Sequence, residues 1–391
     1  MMADVACFCG CLYSFGGGAG TCPRCGAVAT VSAGLAMDSG AVPEGRSVSS
    51  AAGPAEEERA AAVTLLQMIW GLHISRAVYL AAELGIADLL AGGKRTAADL
   101  AEATQTDEPA LYRVLRLLAA LGVLTETGPG SFGLTVLGER LRSDVPASMR
   151  NWAMLADTVG FRAYEPILEA VRTGRTGAEI VYGTRTMERL GGDAPRAARF
   201  DAAMSERTAA FAPSVAATYD FAGMRVVADI GGGQGTLLAA ILRQHGHLRG
   251  VLFERAGAAD RAARVLREAG VADRCEIVAG DFFAGVPDGA DGYILANVLH
   301  DWDDSRAVQI LQACRHAMGT RGRVLIVERL IPDDPHEAVP VLLSDLNMLL
   351  LTGGQERTNA EYGKLLAAAG MQPGQIRPVA TPYGIIEAFA V

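Results

Sequence analysis

Apolar residues from Glu56 onward recur at spacings of three and four, as on one face of an amphipathic helix. This pattern predicts helices over residues 56–90 that each bury one side. The next segment, 96–141, favours two helices followed by two short strands around residues 128–130, which is typical of a winged-helix unit. Helical periodicity resumes over residues 147–221. Residues 56–221 are therefore expected to form a helical, winged-helix-like region.

The pattern changes beyond Gly223 to short apolar runs that alternate with helical stretches. The runs RVVADI, GVLFE, CEIVAG, YILANVL and RVLIVERL have the length and β-branched content of buried strands. Strands that alternate with helices predict a parallel, doubly wound α/β sheet with helices on both faces. Because ligands of such sheets bind at the carboxyl ends of the strands, functional residues are expected there.

These changes of pattern divide the 391 residues into three regions. Residues 1–55 form a Cys-rich extension and linker, since Gly, Ser, Ala and Pro dominate residues 26–55. Residues 56–221 form the helical, winged-helix-like domain. Residues 222–391 form the α/β domain.

The overall charge argues against nucleic-acid and membrane partners. The formal net charge is -9 and the sequence pI is near 5.3, whereas nucleic acids and anionic membranes are usually bound by surfaces with excess Lys and Arg. Residues 60–150 carry 8 Lys and Arg against 9 Asp and Glu, so the winged helix is expected to act as a scaffold or in dimerisation. No long uncharged apolar run and no signal peptide is recognised, so the cytoplasm is the expected location.

Five of the seven cysteines lie in the first 25 residues. Cys22 and Cys25 form a knuckle that suits half of a tetrahedral zinc site, and Cys9 and Cys11 could supply the other half. Cys7, Cys9 and Cys11 have the spacing C-x-C-x-C, however, whereas a regular zinc knuckle has C-x-x-C. The alternative is an extension or tail with incidental cysteines, because Met37 is a plausible alternative start.

A glycine-rich loop follows the first strand of the α/β region, in ADIGGGQG. A dinucleotide fingerprint has the form G-x-G-x-x-G. Gly231 and Gly233 match its first two positions, but Thr236 occupies the third and the next glycine is Gly235. Asp229, two residues before the loop, suits a ligand with a cationic ammonium group and would not help to hold a pyrophosphate. The loop therefore predicts a nucleotide-type cofactor other than a dinucleotide.

Further candidate cofactor residues follow the next two strands. Glu254 ends the strand GVLFE, where its carboxylate can accept hydrogen bonds from both hydroxyls of a ribose. Asp281 and Phe282 follow the strand CEIVA, and they offer an acceptor for an adenine amine and a ring that packs on the adenine face. A loop, an acid and an Asp-aromatic pair on successive strands predict S-adenosylmethionine as the cofactor.

Several motifs occur in the order found in a known family: DIGGGQG, GDFF, NVLHDWDD, VLIVERLIPDD and DLNMLLLTGGQERTNAEYGKLLAAAGM. With them, residues 56–391 resemble the O-methyltransferases of the caffeic acid and acetylserotonin type, which include bacterial natural-product enzymes. The resemblance implies a Rossmann-like class I methyltransferase domain preceded by a helical, winged-helix-like domain that forms a homodimer and a substrate lid. Two positions depart from the family pattern: Glu254 stands where many relatives have Asp, and Ala296 stands where plant relatives often have Lys.

The resemblance also implies a catalytic His with two supporting acids, which map onto His300, Glu328 and Glu356. Their positions agree with this role, because His300 directly follows the strand YILANVL and Glu328 ends the strand VLIVE. Imidazole is available as a base at neutral pH, where a phenol is mostly protonated. Two alternatives stay open at this level: Glu328 could be a surface acid paired with Arg329, and Glu356 could pair with Arg357.

Candidate substrate-binding residues are Trp152, Asp345, Asn347 and Met348. Core or helix-cap roles are equally open for the last three, and residues at the helical spacing of Trp152 more often belong to a plain core. The sequence thus predicts an O-methyltransferase, without a metal, that acts on a hydroxyl of a small, aromatic or polyketide secondary metabolite. Transfer to N or C stays open, as does the identity of the substrate. The alternatives are a methyltransferase-like enzyme redirected to decarboxylation or hydroxylation, and a winged-helix regulator that binds a small ligand.

Overall fold

The computed structural model describes the chain in several stretches. Contacts between residues divide the chain into two compact units, which adjoin in the sequence between Arg76 and Ala77. The domain boundaries predicted at residues 55 and 221 stay predictions. The described residues are 2–6, 12–16, 19–21, 28–30, 54–320, 322–334, 337–379 and 382–391.

The described residues of the first unit form four short strands, one complete helix and the beginning of a second helix. Strand β1 (Met2–Ala6) pairs antiparallel with β2 (Leu12–Gly16), and β3 (Ala19–Thr21) pairs antiparallel with β4 (Val28–Thr30). The helix, α1, spans Pro54–Ile69. The candidate zinc ligands lie outside the described residues, so zinc binding stays a prediction; they are Cys9, Cys11, Cys22 and Cys25.

Helix α2 (Gly71–Glu83) follows α1 in the chain. Among the helices of the described residues, none is by itself both long and apolar enough to cross a membrane. The bent pair Glu58–Ile69 and Gly71–Glu83 meets that criterion only when the two segments are taken together, and then by length and composition alone.

The second unit begins with the predicted winged-helix pattern, which the structure confirms. Helix α4 starts at a capping box, in which Thr96 and Asp99 exchange side chain-to-backbone hydrogen bonds. Phe132 and Leu115, both fully buried, join the hairpin to the helices. The elements are α3 (Ile86–Leu90), β5 (Arg95–Thr96), α4 (Ala97–Thr104), α5 (Glu108–Ala120), β6 (Leu124–Gly128) and β7 (Ser131–Leu134).

A helical segment connects the winged helix to the sheet. Its longest helix, α10, begins at the N-cap Asp193, whose side chain accepts a hydrogen bond from the Arg196 amide. Helix α10 packs along both α6 and the first helix of the α/β region. The helices are α6 (Arg150–Val159), α7 (Ile167–Thr173), α8 (Gly177–Tyr182), α9 (Thr186–Gly191) and α10 (Ala194–Thr218).

The α/β region is a seven-stranded sheet with helices on both faces, as predicted. The strand order is β10-β9-β8-β11-β12-β14-β13, in which β8 to β12 run parallel and β14 runs antiparallel to both its neighbours. The elements are β8 (Val226–Ile230), α11 (Thr236–Gln244), β9 (Arg249–Glu254), α12 (Ala256–Glu268), β10 (Cys275–Ala279), β11 (Gly292–Ala296), α13 (Asp304–Ala317), β12 (Arg323–Arg329), α14 (Val339–Leu351), α15 (Asn359–Ala368), β13 (Met371–Pro378) and β14 (Tyr383–Ala390).

Successive residues of each parallel strand pack on opposite faces of the sheet. Val227 and Ile294 belong to one buried cluster, whereas Ala228 and Leu295 belong to the other. The chain leaves β8 towards β9 and leaves β11 towards β12, so the connections diverge between the adjacent strands β8 and β11. This divergence opens a crevice at the carboxyl ends of the two strands.

Candidate active site

The loop after β8 is shaped for close approach to a ligand. Gly231, Gly233 and Gly235 have φ values of 69°, 58° and 78°, in the left-handed region that favours glycine. Gly232 has no room for a side chain, because a Cβ atom there would lie 2.5 Å from the carboxylate of Asp229. The loop therefore folds directly over Asp229.

Asp229 is buried without a partner. It is 1% exposed, and neither carboxylate oxygen has a hydrogen-bond partner among the described residues. Burial, and then the charge of Glu254, raise the pKa of Asp229 to about 7. Because an unpaired buried carboxylate is unfavourable, this site suits a cationic ligand such as an ammonium group.

The next two strand ends carry the other predicted cofactor residues. Glu254 ends β9, and its Oε2 accepts a hydrogen bond from the Gly233 amide at 3.1 Å. Phe282 lies against the same loop, since a Cβ atom on Gly231 would be 3.8 Å from its ring. Asp281 stays exposed, with Oδ1 accepting a hydrogen bond from the backbone amide two residues on. The structure thus gathers Glu254 and Phe282 around the glycine loop, and leaves Asp281 partly engaged in its own turn.

His300 follows β11 and is 2% exposed. Its Nδ1 lies 3.0 Å from Oε1 of Glu356 and 3.8 Å from Oε2 of Glu328, while Nε2 lies 3.8 Å from Oδ1 of Asp301. An ionised carboxylate can only accept hydrogen bonds, so Nδ1 donates its proton to Glu356. The basic nitrogen of a neutral His300 is therefore Nε2.

Glu328 ends β12 and is fully buried, so the alternative of a surface acid paired with Arg329 is wrong. Its Oε1 accepts hydrogen bonds from the amides of Val298, Leu299 and His300 at 3.0, 2.9 and 3.4 Å. Burial raises the pKa of Glu328 to about 7, although the charge of His300 opposes this shift. Glu328 consequently holds the backbone turn that carries His300.

Glu356 is held from several sides, and the alternative of a simple pair with Arg357 is wrong. Its Oε1 accepts a hydrogen bond from Ser344 Oγ at 2.6 Å and lies 3.6 Å from Arg329 Nη1. Burial opposes its charge, but His300, Ser344 and Arg329 outweigh burial and lower the pKa of Glu356 to about 2. Glu356 is therefore the charged partner of the imidazole.

The surrounding acids change the acidity of His300 itself. Burial disfavours the charged imidazolium, but Glu328, Glu356 and Asp301 outweigh burial and raise the pKa of His300 to about 9. An imidazolium that forms at this position is therefore stabilised by its neighbours.

The sequence analysis gave Arg357 no role beyond a possible pair with Glu356, yet Arg357 is fully buried beside His300. Its guanidinium donates to the carbonyls of Leu299 and Trp302 at 3.0 and 2.8 Å, and to Oδ1 of Asp304 at 2.8 Å. Arg357 thus binds the chain on both sides of His300. The signal that could have found it is its place next to Glu356 in the motif GGQERT.

Gly354 contributes to the same arrangement. A Cβ atom at Gly354 would lie 2.0 Å from the carbonyl oxygen of His300 and 2.5 Å from the amide nitrogen of Trp302. The loop that carries Glu356 therefore packs its backbone directly on the turn that carries His300. Glycine at this position is what permits the 3.0 Å hydrogen bond between the two side chains.

The candidate substrate residues on α14 have different environments. Oδ1 of Asn347 accepts a hydrogen bond from the Tyr164 hydroxyl at 2.7 Å, and Met348 is 9% exposed. Asp345 instead accepts a hydrogen bond from the Glu356 amide at 2.8 Å, so its Oδ1 supports the loop that carries Glu356. Sequence reasoning missed Tyr164, which joins Asn347 only through the fold.

Trp152, the fourth candidate substrate residue, lies on α6. Its backbone amide donates to Glu206 on α10 at 3.3 Å. The guanidinium carbon of Arg207 lies 5.7 Å from the centre of its ring. Trp152 is therefore fixed between two helices of the connecting segment, and half-buried.

The cluster of His300, Glu328 and Glu356 also has the spacing of a metal site. Ligand-type atoms of His300, Glu328 and Glu356 lie within 4.8 Å of one another. The 3.0 Å contact between Nδ1 and Oε1, however, is a hydrogen bond that needs a proton between the two atoms. The contacts of the described residues thus fit proton transfer better than chelation.

Comparisons with known proteins match both halves of the chain. An O-methyltransferase domain model matches residues 164–372, and an O-methyltransferase dimerisation domain model matches residues 66–144. The chain is 44% identical to the phenazine O-methyltransferase PhzM of Lysobacter antibioticus over 338 residues, which is 85% of this chain and 98% of that protein.

A solved structure and a second relative add the cofactor and a different reaction. The structure is an O-methyltransferase from neocarzinostatin biosynthesis in complex with S-adenosylmethionine and 2-hydroxy-5-methyl naphthoic acid, with TM-score 0.74, 39% identity, and coverage of 83% of this chain and 98% of that chain. The relative is the aclacinomycin 10-hydroxylase of Streptomyces purpurascens, 39% identical over 78% of this chain and 83% of that protein. S-adenosylmethionine is the cofactor, and the chain belongs to the family of S-adenosylmethionine-dependent O-methyltransferases, with a dimerisation domain ahead of the O-methyltransferase domain.

Proposed function

We propose that the protein transfers a methyl group to a hydroxyl of a small aromatic secondary metabolite, and that His300 removes the hydroxyl proton. The observation that carries this proposal is the 3.0 Å hydrogen bond from Nδ1 of His300 to Glu356. It fixes the tautomer so that Nε2 is the proton acceptor, and the charge of Glu356 stabilises the imidazolium that forms.

The acidity of His300 suits a phenolic acceptor. A phenol has a pKa of about 10, and the neighbouring acids raise the pKa of His300 to about 9, so proton transfer between them is nearly balanced. At neutral pH only a minor fraction of the imidazole is neutral. The rate is therefore expected to rise with pH until the pKa of His300 is passed.

Six residues are proposed to bind the cofactor, which supplies when bound a methyl group on a sulfonium that is its own activated leaving group. The unpaired carboxylate of Asp229 would bind the ammonium group, and Glu254 the ribose hydroxyls. Asp281 would accept from the adenine amine and Phe282 would pack on its face. Gly231 and Gly233 let the backbone approach closely.

Alignment is expected to contribute more to the rate than proton removal does. Well-oriented reactants can lower a barrier by roughly 7–11 kcal/mol, whereas a positioned general base contributes about 10²- to 10⁴-fold. Glu328 and Arg357 hold the turn that carries His300. Trp152, Asn347 and Met348 are proposed to line the acceptor pocket, while Asp345 positions Glu356.

We propose that the enzyme is a homodimer that acts in the cytoplasm on a small-molecule substrate. The dimerisation model over residues 66–144 supports a homodimer formed through the helical, winged-helix-like domain. The near-neutral charge of residues 60–150 disfavours nucleic acid as a partner. We propose a cytoplasmic enzyme without membrane partners, with domains at residues 56–221 and 222–391 after an extension over residues 1–55.

Hydroxylation is the second candidate function, because a relative at 39% identity is named a hydroxylase. The complete set of His300, Glu328 and Glu356 favours methyl transfer, since it forms an apparatus for proton removal. A winged-helix regulator is disfavoured by the buried catalytic cluster, which a regulator does not need.

The test is to incubate the protein with methyl-labelled S-adenosylmethionine and a panel of phenols and naphthols. Label on a phenolic oxygen, lost in His300→Ala, supports the proposal. Label on nitrogen or carbon, or a product that gains oxygen and no label, would replace it. Activity that a chelator abolishes would favour a metal at the catalytic cluster.

A further inference from the structure

Arg207 is a cation near the proposed acceptor pocket that the described residues leave without an acidic partner. It lies on α10, and its Nε is buried without a hydrogen-bond partner. Its guanidinium carbon lies 5.7 Å from the centre of the Trp152 ring. A guanidinium that packs on a ring keeps its edge available for a planar anion.

The position of Arg207 is fixed by its neighbour in the chain. Glu206 accepts hydrogen bonds from the side chain of Asn151 at 2.6 Å and from the amide of Trp152 at 3.3 Å. These contacts tie the start of α6 to the middle of α10. The contacts of Glu206 therefore keep Arg207 and Trp152 close to each other, in addition to the contact between their own side chains.

One helical turn after Arg207, α10 packs against residues that contact the chain just before His300. Phe211, on the same face as Arg207, stacks on Tyr383 with ring centres 4.1 Å apart. The Tyr383 hydroxyl donates to Asn297 at 3.1 Å, three residues before His300. This face of α10 is therefore the one that borders the His300 end of the crevice.

Arg207 interacts electrostatically with two acids beside His300. It is among the charges that lower the pKa of Asp301 and of Glu328, although burial is larger for both and raises them. The nearby arginines are already engaged: Arg329 lies 3.6 Å from Glu356, and Arg357 binds Asp304. Arg255, whose charge also lowers the pKa of Asp301, lies 3.9 Å from Oε1 of Glu254. Among these arginines of the described residues, Arg207 is thus the one without a carboxylate partner, and a ligand on this side can use it.

We propose that Arg207 binds a carboxylate of the methyl acceptor, so that the acceptors are hydroxylated aromatic carboxylic acids. This inference rests on the proposed function of the same site. The guanidinium fork matches a carboxylate in two parallel hydrogen bonds, and Trp152 offers a surface for the aromatic ring. The methionine carboxylate of the cofactor has the same chemistry, so the experiment must separate the two sources.

The experiment measures binding by calorimetric titration, with 1-hydroxy-2-naphthoic acid, its methyl ester and S-adenosylmethionine as probes; the first two are titrated in the presence of S-adenosylhomocysteine. The wild-type protein should bind the acid at least about 10-fold more tightly than the ester. Arg207→Met should weaken binding of the acid by about 10- to 100-fold. The affinities for the ester and for S-adenosylmethionine should stay within about twofold of the wild type. The affinity of Arg207→Lys for the acid should lie between those of the wild type and Arg207→Met.

The matched control is Arg199→Met, which removes an exposed arginine from the same helix and should change none of the three affinities. A wild-type protein that binds the ester as well as the acid, or neither, overturns the proposal. So does an equal loss for acid and ester in Arg207→Met, or a loss confined to S-adenosylmethionine, which would assign Arg207 to the cofactor. Methylation of neutral phenols by the wild type tests the proposed function separately.

Discussion

The two sides of the crevice differ in how far the protein itself satisfies their polar groups. On the cofactor side, at β8, both carboxylate oxygens of Asp229 lack a partner among the described residues. On the base side, after β11 and β12, Nδ1 of His300 and one oxygen of each supporting glutamate are hydrogen-bonded. We infer that the base is pre-organised by the protein, whereas the cofactor site is completed by its ligand.

The difference has an energetic consequence. An unpaired buried carboxylate destabilises the folded state, and a cationic ligand removes that penalty on binding. A base that is already oriented needs no reorganisation when the acceptor arrives. Ligand binding should therefore stabilise the cofactor side strongly and leave the geometry of the base side unchanged.

The largest expected effect is on turnover, from His300→Ala. Removing the base should lower turnover of a phenol by roughly 10²- to 10⁴-fold, and leave cofactor affinity within a few-fold because His300 serves the acceptor. Steady-state rates and calorimetric titration measure the two quantities. Glu328→Gln should do less harm. Loss of cofactor affinity in His300→Ala would contradict the view that the two sides of the crevice act independently.

The next effect is on cofactor binding, from Asp229→Asn. This change should weaken S-adenosylmethionine by about 10- to 100-fold, because it removes the charge that pairs with the ammonium group. Gly233→Val should abolish binding altogether, because φ at Gly233 is 58°, a conformation that valine rarely adopts. Undiminished affinity in either folded variant would remove the loop from the cofactor site.

The same variant makes a prediction about stability without cofactor. The pKa of Asp229 rises from 3.8 to about 7 on folding, so the folded state binds the proton more tightly and this group destabilises the protein as pH rises from about 4 through 7. Asp229→Asn should therefore raise the melting temperature at pH 8 and gain little at pH 4. An equal change at both pH values would mean that Asp229 is paired in the folded protein.

A smaller effect is expected from Arg357→Met, which frees the turn that carries His300. Turnover of a phenol should fall by about 10-fold while KM for S-adenosylmethionine stays within about twofold, since about 1.4 kcal/mol of alignment corresponds to tenfold. Arg357→Lys should recover part of the loss. A role in general stability alone would lower the rates on ionised and un-ionised acceptors equally.

A shift in pH dependence is expected from Glu356→Gln. Loss of this negative charge should lower the pKa of His300 from about 9, because Glu356 is one of the acids that raise it. The rising limb of log kcat/KM should therefore move to lower pH, with a lower plateau. Glu169→Gln, an exposed acid paired with Arg175, is the control and should leave the profile unchanged. An unshifted limb in Glu356→Gln would assign it to another group.

The smallest expected effect is that of deleting residues 1–36. Methyl transfer should be unchanged, because every proposed site residue lies at or beyond Trp152. Activity and metal content are measured together in the full-length and shortened proteins. Stoichiometric zinc in the full-length protein, with activity lost on deletion, would assign the cysteines a role in function.

Much of the arrangement around the glycine loop could be predicted from the sequence, because its residues follow strands whose apolar pattern is local. Asp229, Glu254 and Phe282 lie at strand ends and meet in space, since parallel strands share one carboxyl edge. The hairpin of β13 and β14 was not predicted. A register shift between Pro373 and Ile376 interrupts the alternation in β13.

The support of the base side could not be predicted in the same way. Ser344, Arg357 and Tyr164 act through partners 12, 53 to 58 and 183 residues away in the chain. No local periodicity records such contacts, because they depend on how α14 and the loop after it pack on the sheet. Buried polar networks of this kind emerge only from the tertiary structure.

The central claim is that His300 is a base held ready by the protein, and the rate of His300→Ala on two acceptors tests it most directly. One acceptor is a phenol with a pKa of about 10, and the other is a nitrophenol that is already ionised at the assay pH. The account predicts a large loss for the phenol and a loss at least about 10-fold smaller for the nitrophenol, because no proton then has to leave. Equal losses would contradict the account and show that His300 only positions the acceptor.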